Sequence, residues 1–89
     1  MTSRVTLYTR PNCHLCADAR EVVEAVCAQA GTTWDEVNID APGNEAIRER
    51  MTDLVPVVEV DGVQVGYWRI RAENVRAAIE QNGTTGGGQ

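Results

Sequence analysis

Two cysteines three residues apart, Cys13 and Cys16, are the residues of this 89-residue sequence best suited to chemistry. Their spacing is compatible with a redox-active disulfide, with half of a metal site, or with two buried structural thiols. A zinc ion takes four ligands, and His14 raises the local set only to three, with its ring turned off the cysteine face. Because no second ligand pair stands elsewhere in the sequence, the spacing favours redox chemistry, and we expect no metal cofactor.

The composition indicates a cytoplasmic protein. The chain carries 13 acidic and 8 basic residues, all of the latter arginine, for a formal charge of −5. Without a basic stripe we expect no nucleic-acid partner, and without a long apolar run or a signal-peptide core we expect no membrane partner. Structural disulfides are rare in the cytosol, so a lone Cys-x-x-Cys there indicates a redox motif. We also expect a monomer.

Hydrophobic periodicity places the two cysteines between a strand and a long helix. Residues 4–8 alternate as a strand does, and from Cys13 to Ala30 apolar residues recur at spacings of three and four. Gly31 is a natural residue to follow the end of that helix. The predicted apolar face comprises Leu15, Ala19, Val22, Val26 and Ala30.

The rest of the chain supplies the elements that hold this junction. Residues 34–40 form a strand candidate with Val37 and Ile39 on one side, and residues 44–51 form a short helix with Ile47 and Met51 as its apolar contacts. Residues 57–66 predict a hairpin around Asp61-Gly62, which suits a type I′ turn. In that hairpin we expect Val60 to pair with Val63 and Val58 with Val65, four valines on one face. A last helix over 71–81 is predicted to bury Val75, Ala78 and Ile79.

The predicted order is therefore βαβ-α-ββ-α, an α/β domain with a four-stranded mixed sheet and three helices. We place this domain at residues 1–82. The tail, residues 83–89, has no apolar residue to pin it, so we expect it to be disordered.

Three features together give the chain a family resemblance. The segment TRPNCHLC follows a first strand, Val55-Pro56 precedes a hairpin, and the element order is that given above. Over about residues 4–81 the sequence resembles the glutaredoxin branch of the thioredoxin fold, in particular small bacterial glutaredoxin-like proteins. The resemblance implies a dithiol–disulfide oxidoreductase acting on protein or low-molecular-weight disulfides.

The two cysteines are expected to have different roles. Cys13 falls at the start of the long helix, where unpaired N–H groups and the macrodipole stabilise an anion, so it is the expected attacking thiolate. Cys16 lies one turn inside in a more apolar setting, so it is the expected resolving thiol. His14 between them either adds to thiolate stabilisation or, in the plainer interpretation, tunes the redox potential from an exposed position.

The resemblance also assigns a role to Val55 and Pro56. In this fold the corresponding proline follows a cis peptide bond and faces the disulfide. The backbone groups of the preceding residue, here Val55, are then free to pair with an extended substrate segment.

The expected substrate end departs from glutathione-using relatives. Those proteins usually carry Gly-Gly after the last strand, whereas this chain has Gly66-Tyr67, so we expect weak glutathione binding. Arg10, together with Arg69 or Arg71, could still meet a carboxylate. Tyr67 and Trp68 are either core residues or a flat docking surface for a protein partner.

These substitutions also bear on the reductant. Glutathione remains a possible co-substrate, but we expect recycling mainly by a thioredoxin-reductase-like flavoprotein or by another low-molecular-weight thiol.

Two alternatives stay open from the sequence alone. One is an iron–sulfur cluster or metal carrier that uses Cys13 with external thiols. The other is a catalytically silent thioredoxin-fold module that binds a partner. The third cysteine, Cys27, lies about 16 Å along the helix from Cys16, too far for a disulfide, and is expected to be a small apolar core residue.

Overall fold

The computed structural model describes residues 4–83, with side chains described as far as Gln81. The predicted tail, residues 83–89, lies outside the described residues apart from Gly83, the last residue of the final helix. The observed element order confirms the prediction. The elements are β1 (Val5–Thr9), α1 (His14–Ala30), β2 (Trp34–Asn38), α2 (Glu45–Met51), β3 (Val57–Val60), β4 (Val63–Tyr67) and α3 (Ala72–Gly83).

The four strands form one mixed sheet in the order β2-β1-β3-β4. The β1 strand runs parallel to β2, with Val5 opposite Trp34, and antiparallel to β3, with Leu7 opposite Val58. The β1 strand has a neighbour on each side, and its alternate residues Val5, Leu7 and Thr9 are buried. The loop that follows β1 therefore starts from the middle of the sheet.

Helices cover both faces of the sheet. On one face α1 and α3 pack on the apolar side chains of β1 and β3, forming the larger core cluster. On the other face α2 closes a smaller cluster built from Ile39, Met51 and Val57, against which Ile47 packs. None of the helices in residues 4–83 is long and apolar enough to cross a membrane.

The α1 helix ends where predicted but buries a slightly different face. Gly31 adopts a left-handed conformation with φ 71° and donates its N–H to the Cys27 carbonyl. Leu15 and Val22 are only half-buried and Ala30 is exposed, because the face that meets the sheet is centred one residue further along the helix. The residues that it buries are Cys16, Ala19, Val23, Val26 and Cys27.

The hairpin has the predicted turn and an unpredicted bulge. Asp61 and Gly62 have φ of 52° and 85°, both positive as a type I′ turn requires, and Val60 pairs with Val63. The predicted pairing of Val58 with Val65 is wrong, because the register shifts by one residue and Val58 lies opposite Gly66. Because Val65 is displaced from Val58, the four valines do not pair on one face as expected, and Val63 is 60% exposed. The extra residue in β4 is a β-bulge, which changes the direction of the strand just before Tyr67.

Candidate active site

The two cysteines lie at the junction of β1 and α1, as the sequence predicts. Cys13 is the N-cap of α1, and its Sγ accepts a hydrogen bond from the Cys16 N–H at 3.2 Å. The two residues are joined by a disulfide, with 5.2 Å between their Cα atoms. Cys13 is half-buried, whereas Cys16 is 1% exposed. One thiol of the pair is therefore reachable from solvent, and the other is covered.

The loop before the cysteines is held by an arginine. Arg10 donates two hydrogen bonds to the Asp40 carboxylate, at 3.0 and 3.3 Å, and a third to the Thr52 carbonyl at 3.1 Å. These contacts lower the pKa of Asp40, chiefly through the hydrogen bond from Arg10. Because a carboxylate of the chain itself already binds the guanidinium, a substrate carboxylate at Arg10 would have to compete with Asp40, and the role predicted for Arg10 stays a prediction.

A second arginine holds the other side of the same loop. Arg20 of α1 donates to both oxygens of Glu36 on β2, at 2.9 and 2.6 Å. The buried Thr9 hydroxyl donates to the same carboxylate at 2.8 Å. The hydrogen bond from Arg20 is the main reason that the pKa of Glu36 is lowered, with a further contribution from Thr9.

These residues border a depression next to the accessible thiol, which we call the loop-side groove. It has a volume of about 340 Å³. His14 lies in it with its ring exposed, as the plainer interpretation of that residue expects. The groove is lined by Arg10, Pro11, Asn12, Cys13, His14, Ala17 and Arg20.

The Val55–Pro56 peptide bond is cis, as the resemblance implies. Both the N–H and the carbonyl of Val55 were expected to be free, but in the described residues only the carbonyl is free. Its N–H donates to the Met51 carbonyl at 3.2 Å, whereas its carbonyl accepts no hydrogen bond from any residue between 4 and 83. A substrate segment that paired here would therefore meet an acceptor only.

A second depression, the aromatic groove, brings together most of the predicted substrate-binding residues. Its volume is about 540 Å³. Val55, Tyr67, Trp68 and Arg69 were predicted for this role, and the structure adds Leu15 from the cysteine motif. The apolar periodicity of α1 predicted Leu15 to be a core residue. In the structure Leu15, in the first turn of α1, is only half-buried and lines this groove. The groove is lined by Leu15, Val55, Tyr67, Trp68, Arg69 and Arg71.

Trp68 is more than an exposed ring in this groove. Its φ is 63°, a left-handed conformation that bulky residues rarely adopt. Its backbone N–H donates to the Pro56 carbonyl at 2.9 Å, and its indole N–H donates to the Asp53 carbonyl at 2.8 Å. Trp68 thus ties the end of β4 to the segment that carries Val55 and Pro56. One hint of this is visible in the sequence, where Tyr67-Trp68 stands at the place where the family resemblance implies glycine.

Comparison with known proteins decides the family. A sequence model described as a glutaredoxin-like domain (DUF836) matches residues 4–80. The chain belongs to the glutaredoxin-like domain family. A protein of Mycobacterium tuberculosis described as uncharacterised is 28% identical over 82 residues, covering 89% of this chain and 84% of that protein.

Solved structures agree with this assignment. A structural-genomics target from X. campestris superposes with a TM-score of 0.68 at 29% identity, covering 86% of this chain and 96% of its own. Reduced Escherichia coli glutaredoxin superposes with a TM-score of 0.60 at 20% identity, covering 88% of this chain and 94% of its own, which shows a shared fold. A glutaredoxin-like domain with a Cys-x-x-Cys pair at disulfide distance supports thiol–disulfide oxidoreductase chemistry.

The third cysteine of this glutaredoxin-like domain is a core residue, as expected. Cys27 is buried and not part of a disulfide, and burial raises the pKa of its thiol. Between residues 4 and 83 no group of three or more His, Cys, Asp or Glu side chains is arranged to hold a metal ion.

Proposed function

We propose that this glutaredoxin-like domain is a dithiol–disulfide oxidoreductase in which Cys13 attacks and Cys16 resolves. One observation carries the proposal: the half-buried Cys13 Sγ caps α1 and accepts the Cys16 N–H, while the covered Cys16 lies at disulfide distance. An N–H donor and the positive end of a helix dipole both stabilise a thiolate at Cys13. No comparable donor is directed at Cys27, within the described residues.

The reaction is a pair of thiol–disulfide exchanges. The Cys13 thiolate attacks one sulfur of a substrate disulfide, forming a mixed disulfide and releasing the other sulfur as a thiolate. The Cys16 thiolate then attacks Cys13, closing the intramolecular disulfide and releasing the second substrate thiol. Two electrons pass from the cysteine pair to the substrate, and an external reductant must return them.

The substrates that we propose are protein or low-molecular-weight disulfides in the cytoplasm, met by a monomeric chain. The proposed reductant is a thioredoxin-reductase-like flavoprotein or a small thiol other than glutathione. Three observations disfavour glutathione: Tyr67 stands where relatives have glycine, Arg10 is already paired with Asp40, and the Val55 N–H is already bonded to Met51.

Cysteine variants test the proposed roles. Cys13→Ser should abolish reduction of hydroxyethyl disulfide, whereas Cys16→Ser should accumulate a mixed disulfide whose added mass is visible by mass spectrometry. Cys27→Ala is the matched control and should keep the parent rate, because that thiol lies in the core. Full activity in Cys13→Ser would refute the assignment.

Recycling assays test the proposed reductant. The oxidised protein is offered glutathione with glutathione reductase in one arm, and thioredoxin reductase with NADPH in the other. We expect NADPH consumption mainly in the second arm. Efficient, saturable recycling by glutathione would show that Tyr67 leaves the glutathione site intact.

A further inference from the structure

We propose that the aromatic groove binds an acidic segment of a protein disulfide, with Arg69 and Arg71 contacting its carboxylates. This inference rests on the proposed oxidoreductase function and names the class of substrate that the site selects. The groove lies beside the motif, since Leu15, which separates His14 from Cys16, forms part of its lining. A segment adjoining the attacked disulfide would therefore reach it.

The first argument is that these two arginines have no carboxylate of their own. Three other arginines each donate twice to one carboxylate of the chain: Arg4 to Asp61, Arg10 to Asp40 and Arg20 to Glu36. Arg69 and Arg71 are exposed, and neither guanidinium group forms a salt bridge or hydrogen bond with the described part of the chain. The chain as a whole has a formal charge of −5. The two arginines of this groove, by contrast, are positive charges that no carboxylate of the described residues neutralises.

Acidic residues near the groove leave the arginines available. Asp18 borders a smaller neighbouring depression that Arg69 also lines, and Glu73 lies in the first turn of α3, two residues after Arg71. Neither carboxylate is within salt-bridge distance of an arginine in the described chain. Carboxylates brought by a partner would thus find guanidinium groups whose donors are not in use.

The second argument is the aromatic wall. Tyr67 and Trp68 are 45% and 52% exposed, and their rings meet edge to face with centroids 5.2 Å apart. The two N–H bonds of Trp68 to the segment 53–56 hold this wall in place before a ligand arrives. Exposed, pre-positioned aromatic side chains are typical of surfaces that bind proteins.

A protein segment fits this groove better than glutathione does. The family resemblance implies a glycine, which would allow close approach of glutathione, at the position where this chain has Tyr67. The Val55 N–H is already bonded to Met51, so a two-way backbone pairing at Val55 is not offered. Binding then depends on side chains that meet the rings and the two arginines, which a peptide of several residues supplies.

The experiment compares two synthetic peptides that each contain one cysteine and differ only in flanking Glu or Gln residues. Each peptide is oxidised to its homodimer, and its reduction by the reduced protein is followed in a single turnover by quenching and chromatography. One reduced protein and one homodimer yield the protein disulfide and two peptide thiols. We expect the Glu homodimer to be reduced about three- to tenfold faster, as two partly exposed charge pairs allow.

The arginines are tested in the same assay. Arg69→Gln/Arg71→Gln should abolish the preference, so that the Glu peptide is reduced no faster than the Gln peptide. Arg76→Gln is the matched control, because Arg76 is an exposed arginine of α3 that contacts Gln29 away from the groove. It should keep the preference for Glu. Raising the salt concentration should reduce that preference in the parent protein.

The remaining outcomes separate this inference from the proposed function. Equal rates for both peptides, or an undiminished preference in the double variant, overturn the inference and leave the oxidoreductase function standing. If glutathione disulfide is reduced faster than the Glu peptide with the same arginine dependence, the groove serves a small carboxylate-bearing thiol and the inference is wrong. If no disulfide is reduced at all, the proposed function fails and the inference fails with it.

Discussion

The two grooves beside the cysteine motif use arginine in opposite ways. In the loop-side groove, Arg10 and Arg20 are each bound by two hydrogen bonds to a carboxylate of the same chain. In the aromatic groove, Arg69 and Arg71 stand beside half-exposed rings without such a partner in residues 4–83. The comparison teaches that the residue type alone does not assign a role. The position of the nearest carboxylate decides whether an arginine holds the fold or remains available to a ligand.

The two grooves also differ in their proposed roles. The attacking cysteine lines one groove, and the residues proposed to bind the substrate line the other. Cys13 lines the loop-side groove, next to the exposed His14. The aromatic groove contains no cysteine, but its lining includes Leu15 and Val55 from the two segments on which the proposed chemistry depends. We therefore expect variants around the two grooves to affect different measurable quantities.

The largest expected effect is the difference in alkylation between the two motif cysteines. In the reduced protein, iodoacetamide should modify Cys13 more than about tenfold faster than Cys16, because reactivity follows thiolate character and exposure. The site of modification is read by peptide mass spectrometry over a series of pH values. Faster alkylation of Cys16 would mean that the loop-side groove does not present the attacking thiol.

The next largest effect concerns the wall of the aromatic groove. Trp68→Phe keeps a ring but removes the indole N–H that bonds to the Asp53 carbonyl, so it should lower the free energy of unfolding by about 0.5–1.5 kcal/mol. Chemical denaturation measures the change. Tyr67→Phe is the matched control, since the Tyr67 hydroxyl makes no hydrogen bond in the described residues, and it should change the free energy little. Equal losses in both variants would argue against a fixed wall.

A smaller effect is expected at the loop-side groove as the pH falls. The folded-state pKa of Glu36 is lowered, chiefly by Arg20, so its contribution to stability is present above the unfolded pKa of about 4.3 and is lost below it. Between about pH 6 and pH 3 the parent protein should lose more stability than Glu36→Gln, which has no such carboxylate to protonate. Denaturation midpoints over that range measure the difference, and parallel pH profiles would contradict the argument.

The smallest expected effect lies with the unpaired arginines. Arg69→Gln/Arg71→Gln should change the free energy of unfolding by no more than about 0.5 kcal/mol, because surface changes away from specific contacts seldom do more. Arg10→Gln removes the contacts to Asp40 and Thr52 and should lower the denaturation midpoint measurably. A double variant that destabilises more than Arg10→Gln would reverse the roles that we assign to the two grooves.

Much of the fold follows from local patterns in the sequence. The alternation in residues 4–8, the three-and-four spacing that precedes Gly31 and the Asp61-Gly62 turn each specify a local conformation, and the structure confirms all three. The cysteine motif lies at the strand–helix junction that periodicity predicts, and the Val55–Pro56 bond is cis, as the family resemblance implies. Such features are predictable because their causes lie within a few neighbouring residues.

The features that the sequence did not predict depend on distant contacts. Arg10 meets Asp40 and Arg20 meets Glu36 only because β1 and β2 pair in parallel and bring those segments together. The bulge in β4 leaves Val65 as the extra residue, packed against the core, and alternation alone does not show where such an irregularity falls. The left-handed conformation of Trp68 likewise depends on carbonyl groups that lie 12 and 15 residues earlier in the chain.

The bulge also bears on how the sheet avoids aggregation. The β4 strand is an edge strand, and a regular edge offers an unbroken row of N–H and C=O groups on which a second copy could add a strand. The extra residue, Val65, interrupts that row and increases the local twist of β4. A strand from a second copy would then not keep one regular hydrogen-bonding register along the whole of β4. Val63 on the same strand is 60% exposed, and a bulge beside an exposed apolar residue is one of the features by which edge strands disfavour pairing with a second copy. The residue that breaks the predicted register therefore also makes this edge of the sheet a poorer template for strand addition by a second copy.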